Sequence, residues 1–196
     1  PWNNSLTRTA VHNTVYVDGL DQMHYAGKFL WAHWVSAKIV PAQEEMTCAP
    51  AGESIVAELM NYHGLKLDHR RTLTFEPPYQ WIVEDHILSP RRTKQSRLVC
   101  LHWNLPDGSW NLDNDKILWH NSHLTLELRV ISSHTTSLRV DRAGEKLLGI
   151  GPNITQLGWF SPTYNVKKPC LSFTWLARAV PPVTFQTSWL LSSKNE

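Results

Sequence analysis

The chain has 196 residues, of which 42% are hydrophobic and 18% are charged, and its formal net charge is +2. This composition is typical of a globular protein with an apolar core and argues against intrinsic disorder. The small net charge excludes the basic surplus typical of nucleic-acid-binding domains, and no apolar run of about 18 residues offers a membrane-spanning helix.

The first part of the sequence predicts a hairpin and two further strands. NTVYV at 13–17 alternates polar and apolar residues, and Asp18-Gly19 is a typical two-residue turn. FLWAHWVSAKIV at 29–40 is rich in aromatic and β-branched residues and stops at Pro41, which predicts one strand. ESIVAELMNY at 53–62 has a composition that suits a helix, but its alternation favours a strand.

The middle of the sequence predicts a hairpin that carries a polar group on an apolar face. DHRRTLTFE at 68–76 and YQWIVEDHIL at 79–88 are joined by Pro77-Pro78. In the second arm Asp85 shares a face with apolar side chains, so it requires a buried hydrogen-bonding partner. SRLVCLHWNLP follows, and we expect a polar loop over residues 107–115.

The remaining segments complete a β-rich pattern. HLTLELRVIS at 123–132 alternates cleanly, and TSLRVD at 136–141 is expected to be a short partner strand. GIGPN at 149–153 is an irregular corner, and two closing strands flank Pro181-Pro182. We therefore predict an all-β fold, a multi-stranded antiparallel β-sandwich of about a dozen strands with little or no helix, in a single domain over residues 1–196.

Motifs of common enzyme classes are absent from the sequence. It contains no GxSxG elbow, no phosphate-binding loop and no HExxH pair of zinc ligands. The three cysteines, Cys48, Cys100 and Cys170, are far apart and odd in number. This spacing favours buried free thiols over a zinc site and allows at most one internal disulfide.

The histidines give no strong metal pattern either. His120 and His123 have the i, i+3 spacing of a helical ligand pair, but they lie where a loop enters a strand, which disfavours metal binding. His63, His69 and His86 lie in or beside strands. Single histidines in such positions are surface residues or hydrogen-bonded core residues more often than ligands.

Arginine pairs and tryptophans are candidates for sugar recognition. Arg70-Arg71 and Arg91-Arg92 could bind carboxylates or sulfates, although Arg70 and Arg71 point to opposite faces of an alternating strand, and solvated charge is the simpler interpretation. The ten tryptophans suit core packing and also stacking on sugars. Trp110, in the polar 107–115 segment, is the best candidate for an exposed ring.

Residues 8–22 carry a resemblance to a known family. RTAVHNTVYVDGLDQ, followed by GKFLW at 27–31, resembles the start of the C-terminal part of heparinase II/III-like polysaccharide lyases. HRRTLTF at 69–75 with WIVEDHIL at 81–88 is similar to paired strands of that family. GWFSPTYNVKKPCLSFTW at 158–175 resembles a late segment of the family, with Asn165 where glycine is usual. The resemblance covers nearly the whole chain, and the HNTV-x-VDG-x-DQ motif is its most specific part.

The resemblance implies the C-terminal β-sandwich of a larger enzyme. Such lyases join an N-terminal helical toroid to this sandwich and bind an acidic polysaccharide in the cleft between them. They cleave by β-elimination next to a uronic acid, and a Tyr and a His outside this chain carry the proton transfers. We expect this chain to form one wall of the cleft, to be non-catalytic by itself, and to come from a longer periplasmic or secreted parent protein.

The resemblance also implies a metal site for which this chain supplies one residue. Family members with a zinc ion take ligands from two upstream motifs, which are absent here, and from the HNTV histidine, which is His12. We therefore expect His12 to be a partial metal ligand in the full-length parent, near an edge of the sandwich, with no cofactor bound by this fragment alone.

Two other functions remain open. The tryptophan content would also suit an independent carbohydrate-binding module, which requires exposed rings on one face. A structural or interaction domain that shares only the fold is the third interpretation. No feature points to a nucleic acid or a membrane span as a partner.

Overall fold

The computed structural model describes residues 5–28, 30–40, 53–91 and 93–193. Most of its strands are segments in which apolar and polar side chains alternate. These residues contain sixteen strands and three short 3-10 turns, at Ser5–Thr7, Thr9–Val11 and Tyr62–Gly64. The strands are β1 (Val15–Val17), β2 (His24–Gly27), β3 (Leu30–Ala32), β4 (Ser36–Val40), β5 (Glu53–Met60), β6 (Asp68–Glu76), β7 (Gln80–Leu88), β8 (Arg97–Pro106), β9 (Ser109–Asp113), β10 (Lys116–His120), β11 (Leu124–Ser132), β12 (Thr136–Arg142), β13 (Glu145–Leu148), β14 (Trp159–Thr163), β15 (Val166–Ala179) and β16 (Val183–Ser193).

Two antiparallel sheets form the sandwich. The six-stranded sheet has the order β1-β8-β15-β12-β13, with β14 paired to β15, and the eight-stranded sheet has the order β4-β5-β6-β7-β16-β11-β10-β9. The β2–β3 hairpin is separate from both sheets. The predicted all-β antiparallel sandwich is therefore confirmed, with more strands than the dozen expected. The single-domain boundary stays a prediction.

The core lies between the two sheets, where alternate side chains of the facing strands meet. In β8, Val99, Leu101 and Trp103 face the core, and Phe173 of β15 and Phe185 of β16 meet them there. Phe173 and Phe185 are fully buried, and each such ring contributes about 1.5–3 kcal/mol relative to an exposed one. Within the described residues no helix has the length and apolar character needed to cross a bilayer.

Three strand predictions were wrong in detail. The 29–40 segment is divided into β3 and β4, because His33 between them takes a left-handed conformation with φ of 55°. The predicted polar loop at 107–115 contains β9, whose Trp110 packs edge-to-face on the core ring of Phe173. The 136–141 strand pairs with β15 in the opposite sheet rather than with β11, since consecutive strands of a sandwich often cross between sheets.

Other predictions are confirmed. The 53–62 segment is strand β5, and β6 and β7 form the predicted hairpin. Asp85 is fully buried and has partners, which are described below. Cys100 and Cys170 are buried free thiols, whereas Cys48 lies outside the described residues.

Candidate functional site

His12 lies three residues before β1, which is an edge strand of the six-stranded sheet. The 3-10 turn at Thr9–Val11 ends at His12, whose backbone is extended with φ of −110° and ψ of 159°. His12 is exposed, and the loop formed by residues 11–14 runs beside β8. This loop is called the His12 loop below.

His102 of β8 fixes the centre of the His12 loop. Its Nδ1 atom donates to the carbonyl oxygen of His12 at 2.8 Å, and its backbone N–H donates to the carbonyl of Thr14 at 3.0 Å. Because Nδ1 carries the donated proton, Nε2 of the neutral ring accepts from the hydroxyl of Ser172. Burial lowers the pKa of His102 from 6.5 to about 4, so the neutral ring is the form that the fold selects.

Asn104, two residues further along β8, fixes the loop at two more points. Its side-chain Nδ2 donates to the carbonyl of Val11 at 2.8 Å. Its backbone N–H donates to the side-chain Oδ1 of Asn13, also at 2.8 Å. His102 and Asn104 of β8 thus hold the loop by four hydrogen bonds, two from side chains and two from backbone N–H groups.

Arg71 of β6 contacts the same loop from the other sheet. Its Nη1 donates to the carbonyl of Asn13 at 2.7 Å, while Nε and Nη2 donate to the two oxygens of Asp85 at 2.7 and 2.9 Å. His69 Nε2 lies 2.7 Å from the same carboxylate. Burial raises the pKa of Asp85, but the hydrogen bonds from His69 and Arg71 outweigh it and hold that pKa below its usual range.

The acidic end of the sequence motif fixes the turn that precedes His12. Asp21 Oδ1 accepts from the backbone N–H of Thr9 at 2.7 Å, and Oδ2 lies 2.6 Å from Nε of Arg8. The Thr9 hydroxyl in turn accepts from the backbone N–H of Gln22 at 3.0 Å. Residues 8–22 therefore form one hydrogen-bonded unit, and His12 is among its exposed residues.

Two clefts open on either side of His12. The first, called the Phe160 cleft, has a volume of about 460 Å³ and is lined by His12 with Asn104, Phe160 and Cys170 among others. Burial raises the pKa of the Cys170 thiol to about 12, and Asp107 adds to the shift. The thiol therefore stays protonated at neutral pH and is not a ready nucleophile.

The second cleft, called the Trp31 cleft, has a volume of about 350 Å³. His12 and Trp31 line it together with hydroxyl and amide side chains and one methionine: Thr7, Thr9, Thr14, Gln22 and Met23. An aromatic ring beside several hydroxyl and amide groups can stack on a sugar and hydrogen-bond its hydroxyls.

The β2–β3 hairpin supplies Trp31 to this cleft and is attached through histidines. The His24 ring stacks on His63 with centroids 3.7 Å apart, and His33 lies edge-on at 4.6 Å. His63 Nδ1 donates to the carbonyl of Asp21 at 2.9 Å, which links the hairpin to the motif. Sequence reasoning missed this attachment because the three histidines are far apart in the chain.

The described residues do not by themselves fit a zinc ion. Among them, no three His, Cys, Asp or Glu side chains are placed to hold a metal. Structural zinc takes four ligands, and catalytic zinc takes three with a water. His12 as a partial ligand completed from outside this chain therefore stays a prediction.

The other candidate residues lie apart from His12. Trp110 is half-buried on the core, whereas Trp34 is 83% exposed, so the choice of Trp110 as the exposed ring was wrong. His120 ends β10, and His123 is exposed in the turn before β11. His86 contacts the Thr184 hydroxyl at 3.2 Å, as expected of a satisfied histidine.

The predicted arginine pairs behave differently from each other. Arg70 and Arg71 point to opposite faces, as predicted: Arg70 lies 3.9 Å from Glu58, and Arg71 binds Asp85. Arg91 is exposed and lines a separate pocket, and Arg92 lies outside the described residues. Of the network around Arg71, the sequence predicted only that Asp85 has a buried partner, because Asp85 lies on an otherwise apolar face of its strand.

Comparison with known proteins gives one family match. Residues 1–189 match the family model described as heparinase II/III-like, C-terminal. No curated protein matches the sequence.

Solved structures show the same fold at low sequence identity. A heparinase III gene product is 15% identical with a TM-score of 0.67, covering 95% of this chain and 25% of that one. A heparan sulfate lyase from Pedobacter heparinus is 15% identical with a TM-score of 0.64, covering 96% and 25%. A further heparinase III is 14% identical with a TM-score of 0.60, covering 91% and 23%. This chain thus spans about a quarter of their length.

Proposed function

We propose, because the chain belongs to the heparinase II/III-like C-terminal family, that it is the β-sandwich part of a polysaccharide lyase. The proposed reaction is β-elimination in a uronate-containing acidic polysaccharide, and the proposed role of this chain is to form one wall of the substrate cleft. The observation that carries this proposal is the exposed His12 between two clefts, on a loop that both sheets hold by hydrogen bonds.

Elimination requires several groups at once. A base takes the proton next to the uronate carboxylate, an acid protonates the leaving oxygen, and the carboxylate must be neutralised. Among the described residues that line the two clefts, His12 is the one imidazole and none is Lys or Arg. One imidazole does not supply all three roles, so the isolated chain is proposed to be non-catalytic and to act with residues of a longer protein.

The names of similar structures support a substrate class. They are described as heparinases and a heparan sulfate lyase, so a glycosaminoglycan is the proposed substrate of the parent protein. A zinc ion in that protein and a periplasmic or secreted location remain proposals that rest on the family resemblance.

Titration of the chain with an acidic uronate-containing oligosaccharide tests the proposal. We expect saturable quenching of tryptophan fluorescence, which Trp31→Ala and His12→Ala weaken by roughly tenfold each, the effect of losing one good contact. Trp34→Ala is the matched control, because Trp34 is exposed but lines neither cleft. Equal weakening by all three variants would contradict the proposed wall, as would unsaturated uronate formed by the chain alone.

One observation favours a second function. Trp34 has 83% of its surface exposed, so its ring is not packed in the core. An independent carbohydrate-binding module would use such a ring and would bind neutral glycans as well as acidic ones. If Trp34→Ala abolishes binding while Trp31→Ala does not, the module replaces the cleft wall as the better account.

A further inference from the structure

A small basic pocket lies at the end of β8 opposite to the His12 loop. It has a volume of about 220 Å³ and is lined by eight residues: Leu65, Lys66, Leu67, Ser89, Arg91, Thr93, Gln95 and Arg97. Three of these are cations, three carry hydroxyl or amide groups, and none is acidic. In a chain whose net charge is only +2, this is a local concentration of positive charge.

Two of the cations have no acidic partner among the described residues. The ion pairs and hydrogen bonds of the described residues involve neither the ammonium of Lys66 nor the guanidinium of Arg91. Lys66 takes a left-handed conformation with φ of 56°, and its backbone N–H is bound by the Asn61 side chain at 3.2 Å. The turn therefore holds the base of the Lys66 side chain at the rim of the pocket.

The third cation, Arg97, is held in position by hydrogen bonds within the protein. Arg97 Nη1 donates to Asp18 Oδ2 and Nη2 donates to Gln95 Oε1, both at 2.8 Å. Each terminal nitrogen of a guanidinium carries two N–H groups, so one on each remains for another acceptor. A planar donor held this way suits bidentate recognition of an oxyanion.

We propose that this pocket binds a sulfate group of an acidic polysaccharide, at a subsite away from the His12 clefts. Lys66 and Arg91 supply unpaired charge, Arg97 supplies oriented N–H groups, and Ser89 and Thr93 supply hydroxyls. β1 runs along the sandwich edge between Asp18 and the His12 loop. In β8, Arg97 is five residues from His102 and seven from Asn104, which hold that loop, a distance of about 17–23 Å along the strand. One polysaccharide chain could therefore contact both. The identity of that chain rests on the proposed function, whereas the oxyanion pocket does not.

The test uses inorganic sulfate and a sulfated oligosaccharide as separate probes. Sulfate is expected to shift the backbone amide resonances of Lys66, Thr93 and Gln95. The double variant Lys66→Ser/Arg91→Ser is expected to lose these shifts and to bind the oligosaccharide roughly tenfold more weakly or worse. Lys94→Ser is the matched control, because Lys94 is exposed in the same segment but does not line the pocket.

Each outcome decides between the proposals. Unchanged resonances with sulfate, and equal oligosaccharide affinity in the double variant and the wild type, would overturn the pocket. Sulfate binding without any loss of oligosaccharide affinity would leave a free-anion site and overturn the polysaccharide subsite. If the double variant weakens binding but Trp31→Ala and His12→Ala do not, the pocket stands and the proposed cleft wall fails. A desulfated oligosaccharide should bind wild type and double variant equally.

Discussion

At the residue scale, the His12 loop is held in place mainly through its backbone carbonyls. Three successive carbonyls, of Val11, His12 and Asn13, each accept from a side chain of another strand. A loop whose carbonyls are satisfied in this way has little freedom to move its backbone. The sandwich thereby fixes the backbone position from which the His12 side chain projects.

The Arg71–Asp85 pair is predicted to stabilise the fold strongly. Arg71→Met leaves a fully buried carboxylate with only His69 as partner, so we expect a loss of about 2–4 kcal/mol in the free energy of unfolding. Arg70→Met is the matched control, because Arg70 is 41% exposed and lies 3.9 Å from Glu58, where an ion pair contributes about 0–1 kcal/mol. Urea unfolding measures both. Similar losses in the two variants would contradict a strong contribution of the Arg71–Asp85 pair to the free energy of unfolding.

His102 is predicted to make the fold sensitive to acid. Its folded pKa of about 4 lies below the unfolded value of 6.5, so between these values the unfolded state binds the proton and stability falls as the pH falls. The loss amounts to about 3 kcal/mol once the pH is below 4. His102→Gln should remove this slope from urea unfolding between pH 7 and pH 4, whereas His134→Gln at an exposed site should keep it. An unchanged slope in His102→Gln would refute the assignment.

At the element scale, the β2–β3 hairpin determines the shape of the Trp31 cleft. The hairpin belongs to neither sheet, and its histidine stack is one of its contacts with the body. Desolvation lowers the pKa of His24, and the neighbouring His63 and His33 add to the effect. The packed hairpin therefore favours neutral His24.

Acid is predicted to loosen this hairpin before the sheets unfold. Because the folded pKa of His24 is lowered, its contribution to packing is present above pH 6.5 and is lost as the pH falls below that value. Hydrogen exchange should show reduced protection of the β2 and β3 amides at low pH. His24→Phe keeps a stacking ring without a titrating group and should keep the protection. Loosening of the Phe variant to the same extent as wild type would count against His24.

At the scale of the whole molecule, local patterns predict the layers but not how they are connected. Strand alternation was enough to place β5, β6, β7 and β11, and the apolar face around Asp85 was enough to demand its partner. The sequence did not reveal that β12 pairs with β15, because sheet membership depends on contacts between distant strands. Trp110 looked exposed because its neighbours are polar, yet β9 turns its ring onto Phe173.

The sequence predicted one residue of the candidate site, His12, but not the residues that hold its loop. His12 stood out through its motif, but the partners of the loop lie far along the chain: Arg71 is 58 residues from Asn13, and His102 is 90 residues from His12. The register that brings them together is a property of the folded sandwich. One signal in β8 could have found them, since His102 and Asn104 alternate with core residues and so mark a polar face that needs a cover.

The most direct measurement is the NMR titration of the His12 imidazole with an acidic uronate-containing oligosaccharide, with the exposed His134 ring as internal reference. The account predicts saturable shifts of the His12 ring resonances and of the Trp31 indole N–H, at the same half-saturation concentration, with little change at His134. Absence of shifts at His12 and Trp31, while the oligosaccharide binds elsewhere on the chain, would contradict the proposal that His12 lies in the wall of a polysaccharide cleft.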